Sequence, residues 1–472
     1  MSDSLALGSN LSSNSSNSQT EQIAVAYRNT QKYKLDAIKR KQDTVSTKQK
    51  IYSNLNSKMN NLVSAIDNMS SSTASDKFKS KKVVSSNTAV ATASASADSV
   101  IGVSSLKVDK LAVNDRLISN RMNLADSFGV DAGENSFEIT VNGVTKKVSV
   151  TFDGSETNEK AFSMVTKAIN LTTDVNVSAS FVKDTSTTGR LILTSSNTGS
   201  DYKISFSDSS VLNKFGINNS DLNSSSNRSL ASDKTAGYSK SNSDDLNAKA
   251  ILNGISVVSS SNTLDNVLSG VKITLLKAQD ASESEINLTT DIDTATVKEF
   301  INPILTSYND ILSLTKADKN TRRSDSGINN LSNALRSISS LKVSTVTSSS
   351  YEYLGSIGIK SDKNGSLSIA DETLFTTALK EDANRVIDLF TSSDGFVSKV
   401  NSAISNMKGD EGLIKSRTLS LSTEANNLKN TLTNTTDQIN RQAAAVKKQY
   451  EQTLKTYLQA QSQYSSFSSL AQ

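Results

Sequence analysis

The chain has no histidine, no cysteine and no tryptophan, and a single proline in 472 residues. Without His and Cys it lacks the commonest general acid/base near neutral pH, the thiolate nucleophile and the usual zinc ligands. Carboxylate-only catalysis needs two acids facing one bond in a cleft, and no Asp or Glu pair stands out from surface charge. No catalytic residue, cofactor or metal ligand is therefore assigned, and the chain reads as a non-enzyme. The lack of Cys suits export without disulfides and a cytosolic protein equally well. No apolar run approaches the length of a membrane-spanning helix, so no membrane insertion is expected. The first twenty residues have no basic start, hydrophobic stretch or small-residue cleavage site, which argues against a Sec-type signal. A net charge of +4 and a pI near 8.8 are too mild to indicate nucleic acid. Lys39, Arg40, Lys41, Lys48 and Lys50 cluster, but away from the apolar seam and without aromatic neighbours, and read as a solvated helix face.

What is present is heptad patterning at both ends. Val45, Tyr52, Leu55, Met59, Leu62, Ile66 and Met69 are spaced by seven, three and four, which aligns apolar side chains along one seam of a helix. Leu421, Leu428, Leu432, Ile439, Val446, Tyr450, Leu454, Tyr457 and Tyr464 do the same near the C-terminus. Neither stripe is satisfied by one helix in water, so each needs a partner, either the other terminus or a neighbouring subunit.

Between the two lies strand-like alternation. After a Ser-rich breaker at 70–75, Val83, Val84, the run AVATASASA, Val103, Leu106 and Val108 predict short strands around a narrow core of small residues. FEITVNGVTKKVSVTF predicts a hairpin about Asn142-Gly143, the dipeptide that tolerates a type I′ turn. A short helix through Phe162, Val165 and Ile169 and three more alternating runs complete one α+β unit. A second unit repeats strand, Asn253-Gly254, strand, short helix, strand, up to Leu275. Helix returns with Val297 to Leu312, interrupted or restarted at Pro303, then at 328–337 and 371–390, with turns at Gly358, Gly365 and Gly395.

The expected fold is α+β and multidomain: long N- and C-terminal helices pairing as a coiled-coil leg, with antiparallel β-rich head domains inserted between them. The expected divisions are a disordered Ser/Asn tract at 1–20, an N-terminal helical leg at 21–72, an inner discontinuous head of 73–119 plus 291–411, an outer insertion of two related units at 120–290, and a C-terminal leg at 412–472.

Several segments, in order, resemble the flagellar filament cap family, also called hook-associated protein 2 (FliD). NTLDNVLSGVKITLLKA (262–278) resembles the segment closing the family's outer domains, and FINPILTSYNDILSLT (300–315) its helix around Tyr308-Asn309. LGSIGIKSDKNGSLSIADETLFTTALKEDANRVIDLF (354–390) is similar to its Gly-Ile, turn, helix and Leu-Phe run. GLIKSRTLSL (412–421) opens the closing helix, in which Arg441 and Gln449-Tyr450 match the family's Arg and Gln-Phe. The family's apolar N-terminal start is reduced here to Leu5, Leu7 and Leu11.

The resemblance implies a tip-located homo-oligomeric ring, secreted and extracellular, that promotes folding and polymerisation of exported flagellin and prevents its leakage. It implies as partners flagellin, the hook-associated junction proteins, a flagellar export chaperone and the type III export apparatus. The helical seams, Val45 to Ile66 and Leu421 to Tyr464, become candidates for subunit and flagellin contacts, Tyr450, Tyr457 and Tyr464 above all. The rival readings are a secreted adhesin with helical stalk and β head, and a hook-filament junction protein. Asp362-Lys363-Asn364-Gly365 resembles part of a calcium loop, but Lys360 stands at the first ligand position, and a plain turn is expected.

Overall fold

The computed structural model describes residues 2–69, 71–218, 222, 228–317, 326–344, 351–409 and 411–470. They form two compact units, one of residues 1–78 and 298–472, the other of residues 79–297.

The chain begins with helix α1, Ser2–Asp67, followed by α2, Ser71–Phe78. Two expectations change here. The Ser/Asn tract carries helical backbone instead of being disordered, because extending an existing helix adds one hydrogen bond per residue fixed and avoids the cost of a nucleus. The side chains of Leu5, Leu7 and Leu11 lie outside the described residues. The Ser-rich breaker is helical from Ser71 onward: Ala74 and Phe78, one turn apart, are both fully buried and hold α2 to the core.

The second unit is built on β1 (Lys81–Ser85), β2 (Ala91–Ala95) and β3 (Gly102–Lys110), then β4 (Asn114–Ile118) and β5 (Met122–Asn123). Next come the hairpin β6 (Gly133–Val141) and β7 (Val144–Phe152), helix α3 (Asn158–Leu171), β8 (Val177–Lys183) and β9 (Thr188–Thr198). The remaining elements are β10 (Ser205–Phe206), α4 (Ser210–Lys214), β11 (Gly237–Tyr238), β12 (Ala248–Leu252), β13 (Ile255–Ser259), β14 (Thr263–Leu268), β15 (Val271–Leu275) and β16 (Ile286–Ile292). Every pairing between these strands is antiparallel.

Two cores occupy this unit. In one, the sheet β1-β16-β3-β12-β13 faces the sheet β14-β15-β2, and Ala91, Ala248 and Ala250 keep the layer between them thin. In the other, α3 places Phe162, Val165 and Ile169 against the sheets β10-β6-β7 and β11-β4-β9-β5. Phe162 stacks on Phe181 at 4.8 Å and on Phe215 at 5.0 Å. The two-unit outer insertion is thereby corrected. Residues 248–292 do not close on themselves; β12 and β16 both bond to β3, and β15 bonds to β2. The strands of 81–110 accordingly belong with the β-rich unit and not with the helices of 298–411. Nor is there a short helix before Val271: residues 263–268 form β14, whose register slips between Asp265 and Leu268 around Asn266, at φ 60°. Leu264 and Leu268, four apart, fit both the helical and the strand period, and pairing with β15 decided between them.

The first unit resumes with α5 (Thr294–Ala317), α6 (Ser326–Ser339), the short strands β17 (Ile359–Ser361) and β18 (Leu367–Ile369), α7 (Glu372–Thr391), α8 (Phe396–Lys408) and α9 (Leu413–Leu470). α5 runs through Pro303 as one helix. Pro303 is on the exposed face, where water can take the carbonyl its missing N–H leaves free. The Tyr308-Asn309 pair holds the helices to the β17-β18 hairpin. The Tyr308 hydroxyl donates to Leu335 O at 2.7 Å, and burial pushes its pKa up. Asn309 acts as a surrogate strand, donating Nδ2 to Leu367 O at 2.8 Å and accepting from Leu367 N at 2.7 Å. α7 breaks at Asp382 (φ −159°, ψ 87°), whose carboxylate caps the second half by accepting from Arg385 N at 3.2 Å. Phe78 meets Phe390 at 5.4 Å and Phe300 at 6.0 Å, closing the core around α2.

Candidate contact surface of the terminal helices

α1 and α9 run antiparallel in constant register. Tyr27 Oη donates to Gln442 Oε1 at 3.0 Å, Lys447 Nζ donates to Glu21 Oε2 at 2.9 Å, and Lys408, just before α9, donates to Asn60 Oδ1. Glu21 also pairs with Arg28 at 3.3 Å. These partners hold the Glu21 carboxyl below the usual range, Lys447 first and Arg28 second, and Glu21 holds the Lys447 ammonium above its own.

The seam residues separate into three groups. Val45, Tyr52, Leu55, Met59, Leu62, Ile66, Leu421 and Ile439 are buried inside the chain. Those side chains have no surface to offer another molecule, so their assignment to subunit or flagellin contacts is corrected to a role in the core. Leu428, Leu432, Val446, Tyr450 and Leu454 are half-buried. Tyr457 and Tyr464 are exposed, at 63% and 78%, and Leu458 and Phe467, which the heptad count passes over, are exposed beside them. Toward its C-terminal end α9 thus carries large apolar side chains that nothing among the described residues covers. Small residues do the packing at the tip, meaning the stretch where the side chains of α1 are first described: Ala24 and Ala443, one on each helix, are both buried.

Asp362 organises a turn. Its Oδ1 accepts from Asn364 N and Ser366 N, each at 2.8 Å, and its backbone N donates to Ser366 O at 2.9 Å. Backbone donors aimed at the carboxylate describe an Asx turn. Among the described residues no cluster of three acidic side chains could hold a metal ion.

Residues 16–115 match the description "Flagellar hook-associated protein 2 N-terminus", and residues 246–461 match "Flagellar hook-associated protein 2 C-terminus". The chain belongs to the flagellar hook-associated protein 2 family. Among relatives, the flagellar hook-associated protein 2 of Escherichia coli K12 is 27% identical over 416 residues, covering 82% of this chain and 83% of its own. The B-type flagellar hook-associated protein 2 of Pseudomonas aeruginosa is 25% identical over 367 residues, covering 74% of each. The crystal structure of the D1-D2-D3 domains of the Escherichia coli flagellar cap protein FliD superposes with a TM-score of 0.53 at 24% identity, covering 79% of this chain and 99% of that one. The fold is therefore that of the family. The two matched stretches contain the small-residue core and the helical unit. Between them lies the module built around α3.

Proposed function

We propose that this protein is the filament cap of the bacterial flagellum, an oligomeric ring at the distal tip that promotes folding and polymerisation of exported flagellin and prevents its leakage. One observation carries the reading: both ends of the hook-associated protein 2 family lie on one chain, on either side of a β-rich insertion, with the terminal helices paired. The cap acts without catalysis, outside the cell. Its partners are further copies of itself, flagellin and the junction proteins beneath the filament, and an export chaperone and the type III apparatus handle it beforehand. Tyr457 and Tyr464, with the half-buried Tyr450, form the contact stripe toward flagellin or a neighbouring subunit, since tyrosine buries area yet tolerates a wet rim. Deleting the gene should leave hooks without filaments and flagellin monomers in the medium. A deletion strain that swims normally would rule the cap out.

A further inference from the structure

The sequence holds three Asn-Gly dipeptides, 142–143, 253–254 and 364–365. Such a pair can lose ammonia without an enzyme, because a glycine nitrogen has no Cβ beside it to hinder attack on the asparagine amide. All three lie in tight turns, and Asn142 and Asn253 share the same left-handed backbone, at φ 49° and 50°. Their surroundings differ. Asn253 Oδ1 accepts from Ser105 N at 2.9 Å, its Nδ2 donates to Ser104 Oγ at 3.3 Å, and its backbone N donates to Ser105 O at 3.0 Å. At the third turn the attacking nitrogen is itself tied, Gly365 N donating to Asp362 O at 2.9 Å, and Gly365 is buried. Asn364 Nδ2 also donates to Asp362 Oδ2, at 3.4 Å. Asn142 and Gly143 are both exposed, and the Asn142 side chain has no hydrogen-bond partner among the described residues.

We infer that Asn142 is a site of spontaneous modification, its amide hydrolysed to a mixture of aspartate and isoaspartate, while Asn253 and Asn364 are protected by the fold. Gly143 N gives its proton to solvent base and bonds to Asn142 Cγ. The tetrahedral carbon expels the side-chain nitrogen, which takes up a proton and leaves as ammonia. Water then opens the resulting succinimide at either carbonyl. Both products add a negative charge at the turn. The isoaspartyl product also inserts a methylene into the backbone between β6 and β7, at the point that sets their register from Val141 opposite Val144 to Gly133 opposite Phe152.

The test incubates the full-length native protein at mildly alkaline pH and quantifies acid and isoaspartyl forms of the three peptides by mass spectrometry. Asn142 should convert about tenfold faster than Asn253 or Asn364, the ratio expected when hydrogen bonds must first be released at the other two. In urea the Asn142 and Asn253 rates should converge, since their neighbours are similar (Val-Asn-Gly-Val and Leu-Asn-Gly-Ile). Equal rates in the native protein, or a preference for Asn142 that survives in urea, would each overturn the inference.

Discussion

The hydroxyl of Tyr27 donates to the side-chain oxygen of Gln442 at 3.0 Å, joining the first helix to the last across 415 positions of sequence. With Lys447–Glu21 it fixes register at the tip of the pair, where the buried side chains are Thr20, Ala24, Ile439 and Ala443. At the base, Tyr52, Leu55, Met59 and Leu62 are buried nearly completely. The pair is thus held by polar contacts and small residues at one end and by large apolar ones at the other.

Tyr27→Phe removes one exposed hydrogen bond, which costs about 0.5 kcal/mol at the lower end of the usual range. Faster amide exchange is expected near residues 20–30 and 439–450, with an almost unchanged urea midpoint. Unaltered exchange there would mean that the contact does not hold the tip.

The Glu21–Lys447 pair gives the tip a defined pH response. The Glu21 carboxyl lies below its ordinary value, so its contribution is complete above the usual carboxylate range and is lost as pH falls through that range to the lowered folded value. Lys447 lies above its ordinary value, so its contribution is complete below that value and is lost as pH rises through the folded one. Both groups are exposed, so the effect should be small and screened by salt. Exchange protection at the tip, corrected for intrinsic rates, should fall on the acid side in the wild type and stay flat in Glu21→Gln.

Leu62→Ala empties a fully buried position and should destabilise the helical unit by about 3 kcal/mol in urea denaturation. Leu419→Ala, at a position 70% exposed on α9, should change stability by less than about 0.5 kcal/mol. Similar effects at the two sites would contradict the assignment of the seam residues to the core.

Arg228 pairs with the fully buried Asp115, and its guanidinium lies 3.4 Å from the centre of the Tyr238 ring. The Asp115 carboxylate also accepts from Ile204 N at 2.8 Å. Arg228→Ala would strand a buried charge and should cost about 3–5 kcal/mol. Adding Asp115→Asn should recover part of that loss, because the remaining amide carries no charge. A double variant less stable than the single one would argue against stranded charge as the cause.

Replacing Tyr450, Tyr457 and Tyr464 together by Ser should leave the thermal melting of the monomer nearly unchanged, since two of the three are exposed. Subunits should nevertheless dissociate from the ring or the filament tip, read by size-exclusion chromatography and by electron microscopy of filaments. Wild-type assembly would remove the stripe from the contact.

Much of the architecture was legible because its signals are local. The heptad spacing of Tyr52, Leu55, Met59 and Leu62 marks a helix whatever lies beside it, and Asn142-Gly143 and Asn253-Gly254 mark the turns found, since they suit positive φ. The break of α7 at Asp382 was not legible, because the composition around Glu381 and Asp382 reads as continuous helix until Val386, Ile387, Leu389 and Phe390 are buried in the core. The helix at Phe396–Lys408 was also missed, its pattern being short and beginning directly after Gly395.

Sequence alone determined that the ends of this protein are helices with apolar seams, that its middle is strands with tight turns, and that its chemistry excludes thiol and imidazole. Only the tertiary structure decided which strands pair, joining residues 81–110 to 248–292, and which seam residues remain free. The physical reason is that periodicity shows which face of an element is apolar but not what covers it. Burial of Leu421 and exposure of Tyr464 arise within the same heptad stripe, and the difference comes from the neighbours each one meets.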